Sequence, residues 1–194
     1  NATTATGDFE FGRLGDVILN GNLTLNNTVN DHIQLSAGTG SVTFGNGTIT
    51  IGGTGFTNGQ LTFRNFTQTG TSAIVLAPTG STRINVGPSA IFGGNVDMRS
   101  SRLFLNGATI TGNAYFEKTG GTEDTGAGNN TINGTTTIVN SANGNLRTQG
   151  NNTFNSTTTL VNSGTAYLLL ELSSGSNYNG NVTLTNTSTS NNSY

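Results

Sequence analysis

Cysteine is absent from the 194 residues, so neither a disulfide nor a thiolate metal site can form. Charge is scarce: Asp, Glu, Lys and Arg make up 8% of the chain, against roughly 25% in an ordinary soluble domain. The balance is slightly acidic, seven basic residues to nine acidic ones, which excludes a surface built to neutralise nucleic acid phosphates. Long apolar runs are missing too. Stretches such as 166–170 stop at five residues, far short of the roughly 20 a membrane-spanning helix needs. Proline occurs twice and lysine once, as Lys118.

What fills the chain instead is 29 Gly, 29 Asn, 36 Thr and 16 Ser. Polar, low-charge chains are often disordered, but disordered segments are usually rich in Pro, Glu and Lys. Here the apolar residues also recur at fixed places. The unit Gly21-Asn22-Leu23-Thr24-Leu25 reads small, polar, apolar, polar, apolar. Copies begin at 40, 59, 80, 94, 112, 134, 156 and 180, with steps of 19, 19, 21, 14, 18, 22, 22 and 24. The fifth position is apolar in every copy: Leu25, Phe44, Phe63, Ile84, Met98, Phe116, Ile138, Leu160 and Leu184. Alternation of this kind puts one strand face inside and the other in water.

A second short strand follows in most copies, as in Ile33-Gln34-Leu35 and Leu103-Phe104-Leu105, with Asn-Gly and Gly-Gly pairs at the corners. No 3.6-residue apolar period is present. A step near 20 residues is too short for a strand–helix–strand unit of roughly 30. The expected fold is therefore all-β: a right-handed parallel β-helix of about nine coils of roughly 20 residues. In it the fifth-position residues form one internal stack and the position-four Thr an outer ladder, with Asn corners bonded coil to coil. An antiparallel sandwich of hairpins would explain the turns but not the copied unit. The final stretch, 187–194, stops in mid-pattern. The expectation is that residues 1–194 are one β-solenoid segment of a much longer repetitive protein, in mature or excised form.

The segments Asn152-Thr153-Phe154-Asn155-Ser156-Thr157-Thr158-Thr159-Leu160-Val161-Asn162-Ser163 and Asn177-Tyr178-Asn179-Gly180-Asn181-Val182-Thr183-Leu184-Thr185-Asn186 resemble repeats of very large cell-surface adhesins of Bacteroidetes, the gliding-motility adhesins among them. The early 19-residue steps are similar, more loosely, to filamentous haemagglutinin-like exoprotein repeats. The likeness covers residues 130–186 well and 17–63 less closely, and the middle departs from it. It implies export across the outer membrane, display at the cell surface, and a stalk, scaffold or contact role. It carries over no catalytic residue.

Charge gathers in that irregular middle. Asp97 and Arg99 are two apart on one strand and share an outer face; Arg83 lies one coil earlier, and Arg64 earlier still. Acidic and basic groups on an outer strand face suit a glycan, so Arg64, Arg83, Asp97 and Arg99 are the candidate ligand-binding residues. The competing reading is a set of solvated surface ion pairs. Glycoside cleavage needs two carboxylates at fixed separation, and only Asp97 with Glu117 comes near this, so no catalytic residues are assigned. Gly120-Gly121-Thr122-Glu123-Asp124 lacks the repeated Asp of a calcium-binding nonapeptide, and no EF-hand spacing occurs. His32 is alone, and the Gly-rich turn at 52–55 lacks the Lys of a phosphate loop.

The sequence thus points to a structural or adhesive segment of a secreted or surface-displayed bacterial protein, and not to an enzyme. It needs no cofactor and no metal. Its expected partners are neighbouring coils of the parent chain and surface glycans or other cell-surface components, with no nucleic acid and no membrane span. One alternative is a carbohydrate-binding or carbohydrate-cleaving β-helix. A second is an ice-binding β-solenoid, against which Arg83, Asp97 and Tyr115 interrupt the position-four Thr ladder.

Overall fold

The computed structural model describes residues 7–36 and 38–188; of the closing stretch 187–194, Thr187 and Ser188 fall within them. Among the described residues are twenty-four strands and no helix. Every third strand in chain order joins the same side of the molecule, and the strand pairs are parallel. The chain is a three-sided parallel β-solenoid of eight turns, one fewer than expected. At about 4.8 Å per turn the rod is about 38 Å long.

The first side carries five strands from Phe9–Phe11 to Arg102–Leu105 and then three from Asp124–Gly126 to Leu168–Leu169. The second is one unbroken eight-stranded sheet from Val17–Leu19 to Asn177–Tyr178. The third begins with the pair Leu23–Asn27 and Ile49–Phe56. It continues as six strands from Ile74–Leu76 to Val182–Asn186.

The single stack of fifth-position residues needs correction. Met98, Phe116, Ile138, Leu160 and Leu184 do lie over one another on the third side. Leu25 is on the third side as well, but Phe44 belongs to the second, and Phe63 and Ile84 to the first. The five-residue unit describes any strand leaving any corner, so its copies mark strands without marking sides. The early 19-residue steps are accordingly not turns. Ile33 lies over Leu61 and Val42 over Phe66, turns of 28 and 24 residues. From Val96 onward the sequence steps and the turns coincide.

The inside is nonetheless one core. Phe44, Phe63, Phe66 and Phe92 are fully buried, with ring centroids 5.1–6.1 Å apart, and Phe154 stacks on Tyr178 at 4.9 Å. Such aromatic contacts add about 0.5–1.5 kcal/mol each beyond area burial. Towards the C-terminal turns the core becomes polar, because Thr136 and Thr158 occupy inner positions that Ile74 and Val96 fill earlier.

Corners are closed by inward polar side chains that bond a carbonyl four residues ahead. Asn27 Nδ2 donates to Asp31 O at 2.8 Å, Gln68 Nε2 to Ser72 O at 2.7 Å and Asn140 Nδ2 to Gly144 O at 3.2 Å. Asparagine also links turn to turn, as expected. Buried Asn130 donates to Asn152 Oδ1 at 2.8 Å, and exposed Asn155 and Asn179 each donate to the Asn below at 2.8 Å. At the corner from the first side to the second, Asn65, Asn129 and Asn151 adopt positive φ of 43°, 58° and 57°. Asparagine tolerates that region best after glycine.

Position four forms an outer ladder on the third side only from Asp97 through Tyr115, Thr137 and Thr159 to Thr183; the ladder that runs through all eight turns is on the second side. Along the second sheet, Ile18, Thr43, Thr67, Ile91, Thr109, Thr131, Thr153 and Asn177 stand in register.

Candidate functional site

The outer face of the third side holds the best-formed surface site. Asp97 and Arg99 share the strand Val96–Ser100, and period-two alternation points both outward. Arg99 grips Asp97 in bidentate fashion, Nε to Oδ1 and Nη2 to Oδ2, each at 2.9 Å. The next turn places Tyr115 beside Asp97 and Glu117 beside Arg99. The Arg99 guanidinium sits 4.6 Å above the Tyr115 ring centroid. Tyr115 donates to Glu117 Oε2 at 3.0 Å, and Ser141 Oγ donates to Glu117 Oε1 at 2.8 Å. A chain of contacts therefore runs across three turns.

The electrostatics follow. The hydrogen bonds from Arg99 to Asp97, and then that carboxylate's charge, hold the guanidinium above its ordinary pKa. Partial burial, then the hydrogen bond to Glu117, pushes the Tyr115 phenol up. Beside this chain is an open concavity of about 320 Å³, lined by Val75, Asn95, Asp97, Asn113, Tyr115 and Thr137 among others. Its wall combines an exposed apolar side chain, an aromatic ring, two amides and the Asp97 carboxylate, whose charge Arg99 neutralises. Such a surface suits a neutral polar ligand, with amides to exchange hydrogen bonds and Val75 and Tyr115 to cover apolar patches.

The four residues read from the sequence do not form one site. Asp97 and Arg99 come together; Arg83 and Arg64 are elsewhere. Arg83 lies on the first side, in register with Arg102 above and Gln60 below. Its guanidinium packs 4.7 Å from the Phe104 ring centroid and donates to Gln60 Oε1 at 2.9 Å. Burial, and next the neighbouring Arg102 charge, lowers its pKa, with Asp124 opposing them. Arg64 is exposed at the corner after the strand Gln60–Phe63.

Sequence reasoning missed the charges inside the tube. Lys118 and Asp124 have fully buried side chains and pair at 2.9 Å. Asp124 also takes Arg102 Nε and the Leu103 backbone N–H, both at 2.9 Å. That carboxylate sits where the first side breaks into two sheets, so it supplies an acceptor the backbone ladder does not. Lys118 further donates to the carbonyls of Ser101 and Gly120, at 3.0 and 2.7 Å. The signal was available: Lys118 falls two residues beyond Phe116 and so on the inner face. Among the described residues, no three of His, Asp or Glu gather as metal ligands would. The chain matches no family model, no curated protein and no solved structure.

Proposed function

We propose that the chain is a rigid structural and adhesive segment of a large secreted or surface-displayed bacterial protein. The observation that carries this reading is the unbroken core: one buried apolar column passes through successive turns, and every turn hydrogen-bonds the next along its strands. In such an array length scales with turn number and stiffness comes from the ladders, which is what a stalk or scaffold needs. The low charge suits it further, since few of the contacts depend on salt. No cofactor and no catalytic step enters this reading: Asp97 is held by Arg99, and Glu117 by the hydroxyls of Tyr115 and Ser141. An antibody raised against the purified chain tests it. Intact source cells should be labelled, and protease shaving should remove the label. Labelling only after permeabilisation would refute surface display.

The concavity beside Tyr115 supports a second reading, glycan binding on the third side. A glycan array should then show binding that Arg99→Ala and Tyr115→Ala both weaken and Arg64→Ala leaves intact. Equal binding by all four proteins, or none by the wild type, would reject it.

A further inference from the structure

The second side differs from the other two in its charge: its eight strands contain no charged residue. It is also the only side of the described molecule whose sheet runs unbroken through all eight turns. Two outward columns follow it. One is the in-register ladder that includes Thr109, Thr131 and Thr153. The other, two residues further along the chain and just past each strand, includes Thr111, Asn133 and Asn155, whose backbone N–H groups still bond the turn below. In that column Asn155 donates to Asn133 at 2.8 Å and Asn179 to Asn155 at 2.8 Å, which fixes the amides in a file.

The spacing follows from strand geometry. Neighbouring turns are about 4.8 Å apart, and positions two apart on a strand are about 6.7 Å apart. Threonine's branched Cβ restricts χ1, so each hydroxyl and methyl keeps its place. The result is a grid of small hydrogen-bonding groups, regular in two directions, on a face that does not flex. Water bridging such groups is held at the grid's spacing rather than the liquid's. A charged group would impose its own hydration shell and break that order, and here there is none. On the third side the same test fails, because Asp97, Arg99 and Glu117 stand among its Thr residues.

We propose that the outward face of the second sheet, centred on Thr109, Thr131 and Thr153 with Thr111, Asn133 and Asn155, binds the surface of ice. The occupant is a lattice of water because the face offers repetition and rigidity, its strands carry no charge, and their aromatic rings are turned inward. Ile91 and Gly93 interrupt the hydrogen-bonding columns midway, so the later turns are the core of the surface.

The test uses the whole chain and three variants, each first shown to be folded by its β-sheet circular dichroism. Thr131→Arg and Thr153→Arg place a charge in the grid. Thr159→Arg places the same charge outward on the third side. The wild type should show thermal hysteresis and inhibit ice recrystallisation. The two second-side variants should lose both activities, and Thr159→Arg should keep them. Folded wild-type chain without either activity overturns the proposal. So does equal activity in all variants, or equal loss in Thr159→Arg. A dimer or a glycan complex that Thr131→Arg abolishes, with no effect on ice, would assign this face to that partner and overturn it as well.

Discussion

Replacing Asp124 by Asn removes the one fully buried carboxylate among the described residues while keeping its size. Lys118, fully buried, would lose its charged partner and keep only neutral acceptors, the carbonyls of Ser101 and Gly120 and the new amide oxygen. Breaking a buried pair so that one charge is left unmatched costs about 3–5 kcal/mol. The reverse change, Lys118→Met, leaves Asp124 with Arg102 Nε and the Leu103 N–H, and Arg102 reaches solvent, its side chain 26% exposed. The loss there is mainly two carbonyls left short of a donor, about 1–3 kcal/mol. The order of the single variants is thus fixed by geometry, with Asp124→Asn the more damaging. The double variant carries a sharper expectation. Removing Lys118 as well takes away the unmatched charge, so Lys118→Met/Asp124→Asn should be more stable than Asp124→Asn alone. Urea unfolding followed by far-ultraviolet circular dichroism measures this, with slopes compared because long repeats can lose two-state behaviour. Equal single variants, or a double variant whose loss is the sum of the two, would refute the reasoning.

Other expectations follow from single sites. Thr136 is 2% exposed and its hydroxyl has no hydrogen-bond partner, so Thr136→Val should raise stability by about 1 kcal/mol in the same titration. Gly150 has φ of 109°, and a Cβ there would run into the Ser174 carbonyl of the next turn. Gly150→Ala should cost about 1–3 kcal/mol from backbone conformation alone, with the clash adding to it; a neutral result would contradict the corner geometry. Burial and a 2.6 Å hydrogen bond to Glu171 hold the Tyr178 phenol well above the usual tyrosine range. The folded state therefore keeps that proton more tightly than the unfolded chain. Its contribution is complete below about pH 10 and is lost as pH rises towards the folded value. Tyr178→Phe should flatten the alkaline fall in Tm, and an unchanged fall would count against the contact.

The class of fold was legible because alternation is local. Leu23-Thr24-Leu25 and Phe116 with Ile138 announce one wet and one buried face, and the identical 22-residue steps from Gly112 to Gly134 to Ser156 reveal true turns. The early register was hidden because corner lengths vary. One turn takes 28 residues from Ile33 to Leu61, another 19 from Ile84 to Leu103, and a unit that marks every strand cannot say which side it builds. Half of the candidate site was readable for the same reason: Asp97 and Arg99 are two apart on one strand, whereas placing Arg83 required knowing its side. Lys118 carries a local mark of its burial, two residues beyond Phe116 on the same strand, but nothing local marks Asp124 as its partner, because the pair meets only once the chain has turned.

Which residues stack on which is decided most directly by cross-linking, since the chain has no native thiol. Thr43 and Thr67 are in-register neighbours on the second side. Adjacent parallel strands hold their Cα atoms about 4.8 Å apart, within disulfide reach. Mild oxidation should therefore join Thr43→Cys/Thr67→Cys within one chain and leave Thr24→Cys/Thr43→Cys, whose residues lie on different sides, as free thiols. Efficient bridging of the second pair and none in the first would restore the 19-residue stack and contradict the three-sided solenoid.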